Sequence, residues 1–296
     1  MYPTGKRCMH PTAAPVCRGA RIRVGRPSWL EVAYQTPAYL GIIRGFVQPG
    51  PLAQVVEHRA FNPLVEGSSP SRPTNPLNSP SRAVQSNQPG PHRRLDQVVA
   101  RHRDSAWRAP IHPASRSAYA CFVSSLDRNS PLVLDSGCGT GWSTARLAER
   151  YPEATVIGVD QSAARLARFC EPELANMRRI RARAEDFWRL LAADGIRPAR
   201  HFLLYPNPWP KAAHLRRRWH GHPVFPDLLA LGGVLELRTN WQIYAEEFCC
   251  AAGICGIDTP PVVSFSVDSP LTPFERKYAE SGHRLYRLCL NLEKEQ

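Results

Sequence analysis

The pattern of apolar positions changes near residue 131. From there on, short apolar runs alternate with stretches whose apolar residues recur every three or four positions. Residues 132–134 (LVL) and 155–159 (TVIGV) are predicted strands, and residues 144–150 between them are a predicted helix that ends before Tyr151-Pro152. Strands that alternate with helices indicate a parallel sheet with helices on both faces. An α/β domain is therefore predicted for residues 131–296.

The same alternation continues toward the C-terminus and brings the number of predicted strands to seven. The five further strands are predicted at residues 180–183, 202–205, 234–237, 262–267 and 285–292, the last of them as an antiparallel edge strand. Helices are predicted at residues 225–231 and 242–252, a loop at 269–283, and a helical lead-in at 91–130. The fold class is thus α/β, with a seven-stranded, mostly parallel, Rossmann-like sheet.

Residues 1–90 differ from the rest in both pattern and charge. Their apolar residues recur neither every 3.6 positions, as in a helix, nor every second position, as in a strand. They are also interrupted by Pro, Gly, Ser and Asn, so they are predicted to be disordered. Residues 1–95 contain 12 Lys and Arg against 3 Asp and Glu, which is +9 of the net charge of +13. The strong basicity belongs mostly to this segment, and it does not argue for nucleic-acid binding by the whole protein.

Residues 52–74 (LAQVVEHRAFNPLVEGSSPSRPT) raise the question of whether they are protein sequence at all. Residues 67–70 can be reverse-translated into the T-arm signature of a tRNA gene, and residues 53–57 into a D-arm at a matching separation. The hypothesis is that the gene model starts too far upstream and reads through a tRNA gene, with authentic translation beginning near Val84. The alternative is a genuine disordered tail that binds RNA through its arginines.

Composition argues against several classes of protein. No run approaches the roughly 18 apolar residues of a membrane span, so no membrane association is expected. The nine cysteines include no C-x-x-C pair, which argues against a zinc ribbon or a disulfide framework and favours reduced thiols in the cytoplasm. No metal site is expected, because His214, His220 and His222 lack ligand spacing and are interpreted as surface or phosphate-contacting residues.

A glycine-rich turn follows the first predicted strand. It reads D-x-G-x-G-x-G and comprises Asp135, Gly137, Gly139 and Gly141. Glycines let a ligand approach the backbone where Cβ atoms would block it. Dinucleotide sites have a related turn, but here an acid precedes the glycines and the third glycine comes early, which suits a ligand without a pyrophosphate. Asp160, which ends the second strand, can accept both hydroxyls of a ribose; alternatively it caps the following helix.

This arrangement resembles the class I S-adenosylmethionine-dependent methyltransferases. The resemblance implies that S-adenosylmethionine is the cofactor, that the turn from Asp135 onward covers its amino-acid part, and that Asp160 holds its ribose. It also implies an acidic or polar residue near adenine N6. Glu185 is the choice for this role and Asp186 the alternative, although either acid can equally favour a helix N-terminus.

The fourth predicted strand runs into YPNPWPK, residues 205–211, a stiff and polar loop. Ligands of open α/β sheets bind beyond the carboxyl ends of the strands, so the loop is expected beside the methyl donor. The prolines hold Asn207 in one pose, and Trp209 offers a stacking surface for a base. Lys211 and residues 216–218 (RRR) are predicted to contact phosphates, the alternative being a solvated helix face. Residues 91–129 are expected to cover the cofactor or to touch RNA.

Three motifs make the resemblance more specific. YPNPWPKAAHLRRRW, LELRTNWQIYAEEF and TPFERKY together are similar to the bacterial tRNA (guanine-N7)-methyltransferase family over residues 130–292. The resemblance implies methylation of a variable-loop guanine in tRNA, with Asn207 as the catalytic residue, which also lies beside the cofactor. The residues that it assigns to substrate binding are Trp209, Lys211, Asn240, Thr272, Phe274 and Glu275.

Two positions depart from the family, because Asn207 and Asn240 stand where it has aspartates. Guanine N7 has a lone pair and no proton, so the transfer needs alignment and exclusion of water rather than a general base. An amide can still hold the edge of the base by hydrogen bonds. It lacks the negative charge that an aspartate would place beside the cationic, methylated base, so slower turnover is expected. The alternatives are an RNA-binding paralogue without turnover and a methyltransferase for another nucleobase, a protein or a small substrate. A monomer that acts on tRNA is expected.

Overall fold

The computed structural model describes residues 80–293. The predictions of disorder, of a mis-called start and of an RNA-binding tail fall mostly on residues 1–79 and lie outside the described residues. Within residues 80–293 the chain forms eight α-helices: α1 (Leu95–Arg103), α2 (Pro113–Ser124), α3 (Trp142–Arg150), α4 (Ala163–Leu166), α5 (Ala184–Ala193), α6 (Phe225–Leu229), α7 (Gln242–Ile254) and α8 (Pro273–Glu280). The same residues form seven strands: β1 (Leu132–Ser136), β2 (Thr155–Asp160), β3 (Met177–Arg181), β4 (Arg200–Leu204), β5 (Val234–Thr239), β6 (Val263–Phe265) and β7 (Leu285–Asn291).

The strands of the described chain form one sheet in the order β3-β2-β1-β4-β5-β7-β6. The first five strands along the chain are parallel, whereas β7 is antiparallel to both β5 and β6. The prediction that the last strand lies at the edge was wrong, because β7 is inserted between β5 and β6. Leu285, Leu288 and Leu290 of β7 are buried, whereas the three-residue β6 is short and mostly exposed, as suits an edge strand.

Each face of the sheet has its own apolar core. Alternate side chains of a strand point to opposite faces, so Leu132 and Leu134 of β1 face the larger core while Val133 faces the smaller one. Helix α3 packs on the smaller core, and α1, α2, α5, α6 and α7 contribute to the larger one. Helices on both faces of a mostly parallel sheet confirm the predicted fold class.

The segment 269–283, predicted as a loop, contains helix α8. Thr272 caps this helix, since its Oγ1 accepts a hydrogen bond from Glu275 N at 2.9 Å, and Pro273 occupies the first helical position. Threonine followed three residues later by glutamate is a capping-box pattern, and proline is favoured at the first position. The loop prediction was therefore wrong although the sequence contained the signal.

The chain that precedes α1 lies against the domain. Ser81 N donates to Ser281 Oγ at 2.8 Å, and Ser86 Oγ donates to the Pro210 carbonyl at 2.7 Å. Val84 packs on the larger core. Contacts with the domain therefore begin before the boundary predicted at residue 90.

Candidate active site

The strand order reverses between two neighbouring strands, β1 and β4. From β1 the chain proceeds to β2 and β3 on one side, and then crosses to β4 and β5 on the other. Loops that follow two such strands diverge and leave a crevice at the carboxyl ends of the strands, where ligands of open α/β sheets bind. The glycine turn follows β1 and the proline loop follows β4. The topology thus brings the two predicted motifs to the two sides of one crevice.

The glycine turn presents open backbone at two of its three glycines. Gly137 and Gly139 have φ angles of 77° and 63°, and Gly141, the N-cap of α3, has 92°. A Cβ added at Gly137 or Gly139 would meet no atom within 4 Å. Gly137 N donates to Val159 O at 2.7 Å and Gly139 N to Asp160 Oδ2 at 2.9 Å, which ties the turn to the end of β2. The left-handed backbone requires glycine, and the open space fits a ligand lying against the turn.

Asp135 lies beneath the turn. It is 1% exposed, and its Oδ2 accepts hydrogen bonds from Ser143 Oγ at 2.6 Å and Thr144 Oγ1 at 2.8 Å, both at the start of α3. Burial raises the pKa of this carboxyl to about 6, although the two hydroxyls act in the opposite direction. Asp135 thus joins β1 to α3 and fixes the turn between them, and its contact with a cofactor stays a prediction.

The carboxylate of Asp160 is shared among three donors. Its Oδ1 accepts from Ser162 N at 2.8 Å and pairs with Arg165 Nη2 at 2.9 Å, and its Oδ2 accepts from Gly139 N. The following helix is capped by Ser162 rather than by Asp160, since Ser162 Oγ accepts from Arg165 N at 3.3 Å. The Arg165 side chain is 51% exposed, while that of Asp160 is 2% exposed. The exposed Arg165 side chain therefore occupies one oxygen of a carboxylate that is otherwise buried.

The two acids at the start of α5 have different environments. Asp186 is buried, and its Oδ2 accepts a hydrogen bond from His112 N at 3.1 Å, which fixes the start of α2. Glu185 is half-buried, and burial raises its pKa. The geometry therefore favours Glu185 over Asp186 for contact with a ligand.

The backbone of the proline loop is strained at two positions. Tyr205 and Trp209, each followed by a proline, have φ angles of 53° and 45°, in the left-handed region that non-glycine residues rarely adopt. Such conformations cost on the order of 1–3 kcal/mol each and persist only where the surroundings hold them. Asn207 lies between these two residues and is exposed. The strain makes the loop a candidate for function, because strained backbone concentrates at functional sites.

Side chains hold three consecutive carbonyls of this loop. Arg218 Nε and Nη2 donate to the Trp209 carbonyl at 3.2 and 3.0 Å, and Nη2 also donates to the Lys211 carbonyl at 3.3 Å. The carbonyl between them, that of Pro210, accepts from Ser86 Oγ. The C-terminal half of the loop is thus fixed by two side chains from outside it, those of Arg218 and Ser86.

The Arg218 guanidinium is fully buried and is paired with Glu247. Glu247 Oε2 accepts from Arg218 Nη1 and, at 2.8 Å, from His220 Nε2; its Oε1 accepts from Gln88 Nε2 at 3.0 Å and His92 N at 2.8 Å. Burial alone would raise the pKa of Glu247, but the hydrogen bonds from His220 and Arg218 outweigh it and lower the pKa to about 2. Arg218, Glu247, His220 and Gln88 form one polar cluster behind the proline loop, the Arg218 network.

Two predictions on this segment were wrong. Arg218 was predicted to contact phosphate and His220 was interpreted as a surface residue. Both are 0% exposed, and each is hydrogen-bonded to the buried Glu247 carboxylate. Lys211 and Arg217 are exposed as predicted, and the Arg217 guanidinium lies 4.8 Å from the centroid of the half-buried Trp209 ring. These exposed groups are the part of the segment that a substrate can reach.

The residues predicted near the C-terminus divide into buried and exposed ones. Glu275 is 0% exposed, and its Oε1 accepts from the Tyr205 hydroxyl and from Arg238 Nη1, each at 2.9 Å. Thr272 is buried as the cap of α8, whereas Phe274 is 60% exposed. Glu275 therefore fixes the first residue of the proline loop, and Phe274 alone of the three predicted residues presents its side chain to solvent.

Asn240 follows β5 and is joined to a ladder of aromatic rings. Its Nδ2 lies 3.3 Å from His283 Nδ1. The His283 ring stacks on Tyr278 with centroids 5.3 Å apart and planes at 11°, and Tyr278 in turn lies 6.2 Å from Phe274 between ring centroids. Tyr278 ends the motif TPFERKY, whereas His283, the last residue of the predicted loop 269–283, was given no role of its own. The helical spacing of Phe274 and Tyr278, four residues apart, is the signal that could have paired them.

Neither a metal site nor a membrane span is found in the described part of the chain. Among residues 80–293, no group of three or more His, Cys, Asp or Glu side chains is placed to hold a metal ion. Nor does any helix in that range combine the length and the apolar character that crossing a membrane requires.

Comparison with known proteins gives consistent matches. The model of a family described as "Putative methyltransferase" matches residues 129–288. A tRNA (guanine-N(7)-)-methyltransferase from Leifsonia xyli subsp. xyli is 33% identical over 231 residues, which cover 68% of this chain and 97% of that protein. One from Mycobacterium ulcerans is 32% identical over 211 residues, 65% of this chain and 72% of that protein. A solved mutant of a 16S rRNA (adenine(1408)-N(1))-methyltransferase from Catenulisporales acidiphilia covers 64% of this chain and 95% of its own, with a TM-score of 0.44 and 17% identity, too low a likeness to bear on function.

Proposed function

Because the chain belongs to the tRNA (guanine-N7)-methyltransferase family, we propose that it transfers a methyl group from S-adenosylmethionine to N7 of a guanine in tRNA. The structural observation that carries the proposal is the meeting of the glycine turn and the proline loop at the reversal of strand order. We further propose that the guanine lies in the variable loop of the tRNA and that the protein acts as a monomer in the cytoplasm.

The cofactor fits the side of the crevice formed by β1 and β2. The open backbone at Gly137 and Gly139 suits the amino-acid part, Asp160 the ribose hydroxyls once Arg165 has moved, and Glu185 the adenine amino group. When bound there, S-adenosylmethionine supplies an electrophilic methyl group on a sulfonium sulfur.

The proline loop aligns the base rather than activating it. Guanine N7 has a lone pair and no proton, so no side chain has to remove a proton. The amide of Asn207 offers both a donor and an acceptor to the edge of the base. Fixing the base in one orientation and excluding water can lower the activation free energy by several kcal/mol. The catalytic contribution of this chain is therefore the fixed pose of Asn207.

The remaining predicted substrate residues take two kinds of role in this proposal. Trp209 and Phe274 offer ring faces to bases, Lys211 offers a charge to phosphate, and Asn240 offers an amide beside the aromatic ladder. Thr272 and Glu275 are buried, so they position α8 and the proline loop and do not touch the substrate.

The test uses tRNA in which the target atom is absent. The full chain is incubated with methyl-labelled S-adenosylmethionine and either an ordinary transcript or one made with 7-deazaguanosine, in which carbon replaces N7. We expect label in the first transcript and none in the second, and cleavage at N7-methylguanine should map the position. Label in the deaza transcript would mean another target atom. Cofactor binding without any transfer would favour an RNA-binding paralogue.

A further inference from the structure

A second, basic groove lies beside the proline loop. It has a volume of about 490 Å³ and runs between α1 and the 3-10 helical segment 212–217, which directly follows Lys211. On the α1 side, Arg94, Gln97 and Arg101 line it. These positions are separated by three and four residues, so they share one face of the helix. Arg216 lines the opposite side of the groove.

The charges of this groove are not neutralised within the described chain. No salt bridge among residues 80–293 includes Arg94, Arg101 or Arg216, and no Asp or Glu lines the groove. Burial, together with Arg216 and Arg101, lowers the pKa of His102, and its Nε2 is buried without a hydrogen-bond partner in the same range. Cations crowded in this way favour an anion between them.

The groove at the amino ends of the strands is different. Its volume is about 690 Å³, and it is lined by Arg128 and Arg197 but also by Asp127 and Glu293. Its two arginines are thus matched by two acidic residues in the lining of the same groove. Of these two grooves, only the one beside the proline loop is lined by basic residues without acidic ones. The other groove therefore serves as a control for the effect of removing two arginines.

The position of the basic groove points to a phosphate backbone rather than to a small anion. Arg216 stands two residues before Arg218, which holds the proline loop, and His92 N donates to Glu247 of the same network. Because the 212–217 segment that lines the groove directly follows Lys211, we expect a strand whose base enters the crevice beside Asn207 to bring neighbouring phosphates to this side of the loop. Arginines at several points along a groove suit an extended polyanion, with contacts that do not depend on base identity.

We propose that the groove formed by Arg94, Gln97, Arg101 and Arg216 binds phosphates of the tRNA substrate outside the methylated nucleotide. The inference rests on the proposed function, since it takes tRNA as the substrate. It assigns to α1 a role in affinity for RNA and none in the chemical step.

The test is a double variant, Arg94→Ala with Arg101→Ala, studied in the full chain. The dissociation constant for tRNA should rise about tenfold, and the slope of log K against log salt concentration should fall by about 2, one for each phosphate contact. The affinity for S-adenosylmethionine and the kcat at saturating tRNA should not change. Replacement of both arginines by lysine keeps the charges and should preserve tRNA binding. The matched control is Arg128→Ala with Arg197→Ala, which should behave as wild type.

Unchanged tRNA affinity and salt slope in the Arg94/Arg101 variant would overturn the groove assignment while leaving the proposed function intact, provided that the wild type methylates tRNA. An equal loss in the control variant would also overturn it, because the effect would then follow net charge. A wild-type protein that neither binds nor methylates tRNA would overturn both proposals.

Discussion

Replacing Glu247 with glutamine should destabilise the protein, because it leaves the Arg218 guanidinium buried without a counter-ion. Removal of one partner of a buried ion pair costs about 3–5 kcal/mol. The pKa gives a second figure: its depression from 4.5 to about 2 corresponds to about 3 kcal/mol of preference for the charged form in the folded state. The two figures agree in magnitude, so we expect Glu247→Gln to lower the free energy of unfolding by about 3–5 kcal/mol at pH 7.

Urea denaturation measures this loss, and two further variants show its origin. Glu149→Gln removes a carboxylate that is 50% exposed in its pair with Arg146, and it should cost less than about 1 kcal/mol. Combining Glu247→Gln with Arg218→Met removes both buried charges and should be more stable than Glu247→Gln alone. The double variant should still methylate slowly, because the Trp209 carbonyl loses its donors.

The pH dependence of the wild-type free energy of unfolding tests whether the charged form of Glu247 is the stabilising one. The folded pKa of Glu247 lies below the unfolded one, so its stabilisation is complete above about pH 4.5 and is lost as the pH falls toward 2. A loss of less than about 1 kcal/mol in Glu247→Gln would contradict this expectation, and so would a double variant that is no more stable than the single one. Either result would mean that Arg218 is not held as a buried ion pair.

Three further predictions concern the crevice. Asn207→Ala should lower single-turnover methylation by about 100-fold through loss of alignment, whereas Asn207→Asp should raise it by restoring a charge beside the cationic product. Gly139→Ala should weaken S-adenosylmethionine binding at least about tenfold in calorimetry and should also cost stability. The control is Gly195→Ala in the turn between α5 and β4, where φ is also 63°. Each substitution should lower the free energy of unfolding by roughly 1–2 kcal/mol, but Gly195→Ala should leave cofactor binding unchanged. Asp135→Asn should gain stability relative to wild type as the pH rises from about 4 to about 6, because the raised folded pKa makes the wild type lose stability in that window; urea denaturation at pH 4 and pH 7 checks this sign.

The strands that the sequence predicted well are those buried on both faces. Every residue of β1 is buried, and its unbroken apolar start makes it visible in the sequence. β3 begins at Met177, three residues before the predicted start, because Arg178 and Arg179 of this outer strand interrupt the apolar pattern in the sequence. The place of β7 inside the sheet could not be predicted, since strand order depends on pairing between distant segments and not on the composition of the strand.

The same distinction applies to the candidate site. The glycine turn and the proline loop are contiguous motifs, so their location could be predicted from the sequence. The role of Arg218 could not, because its counter-ion Glu247 lies 29 residues away and its partner Gln88 lies 130 residues away. In the sequence Arg218 is the third of three arginines, and only long-range packing distinguishes it from its exposed neighbours.

An asparagine at position 207, where the resembled family has an aspartate, is compatible with this architecture, because either side chain has an oxygen that can accept the hydrogen bond from Trp209 N, which lies 3.5 Å from Asn207 Oδ1. At one end, the Tyr205 hydroxyl is bonded to the buried Glu275. At the other end, Arg218 holds the Trp209 carbonyl. The two anchoring side chains, Glu275 and Arg218, are buried and belong to segments outside the loop. The side chain of residue 207 can therefore change its charge without moving the loop backbone. It follows that substitutions of Asn207 should alter the rate of methyl transfer while leaving the free energy of unfolding nearly unchanged, whereas substitutions in the Arg218 network should alter both.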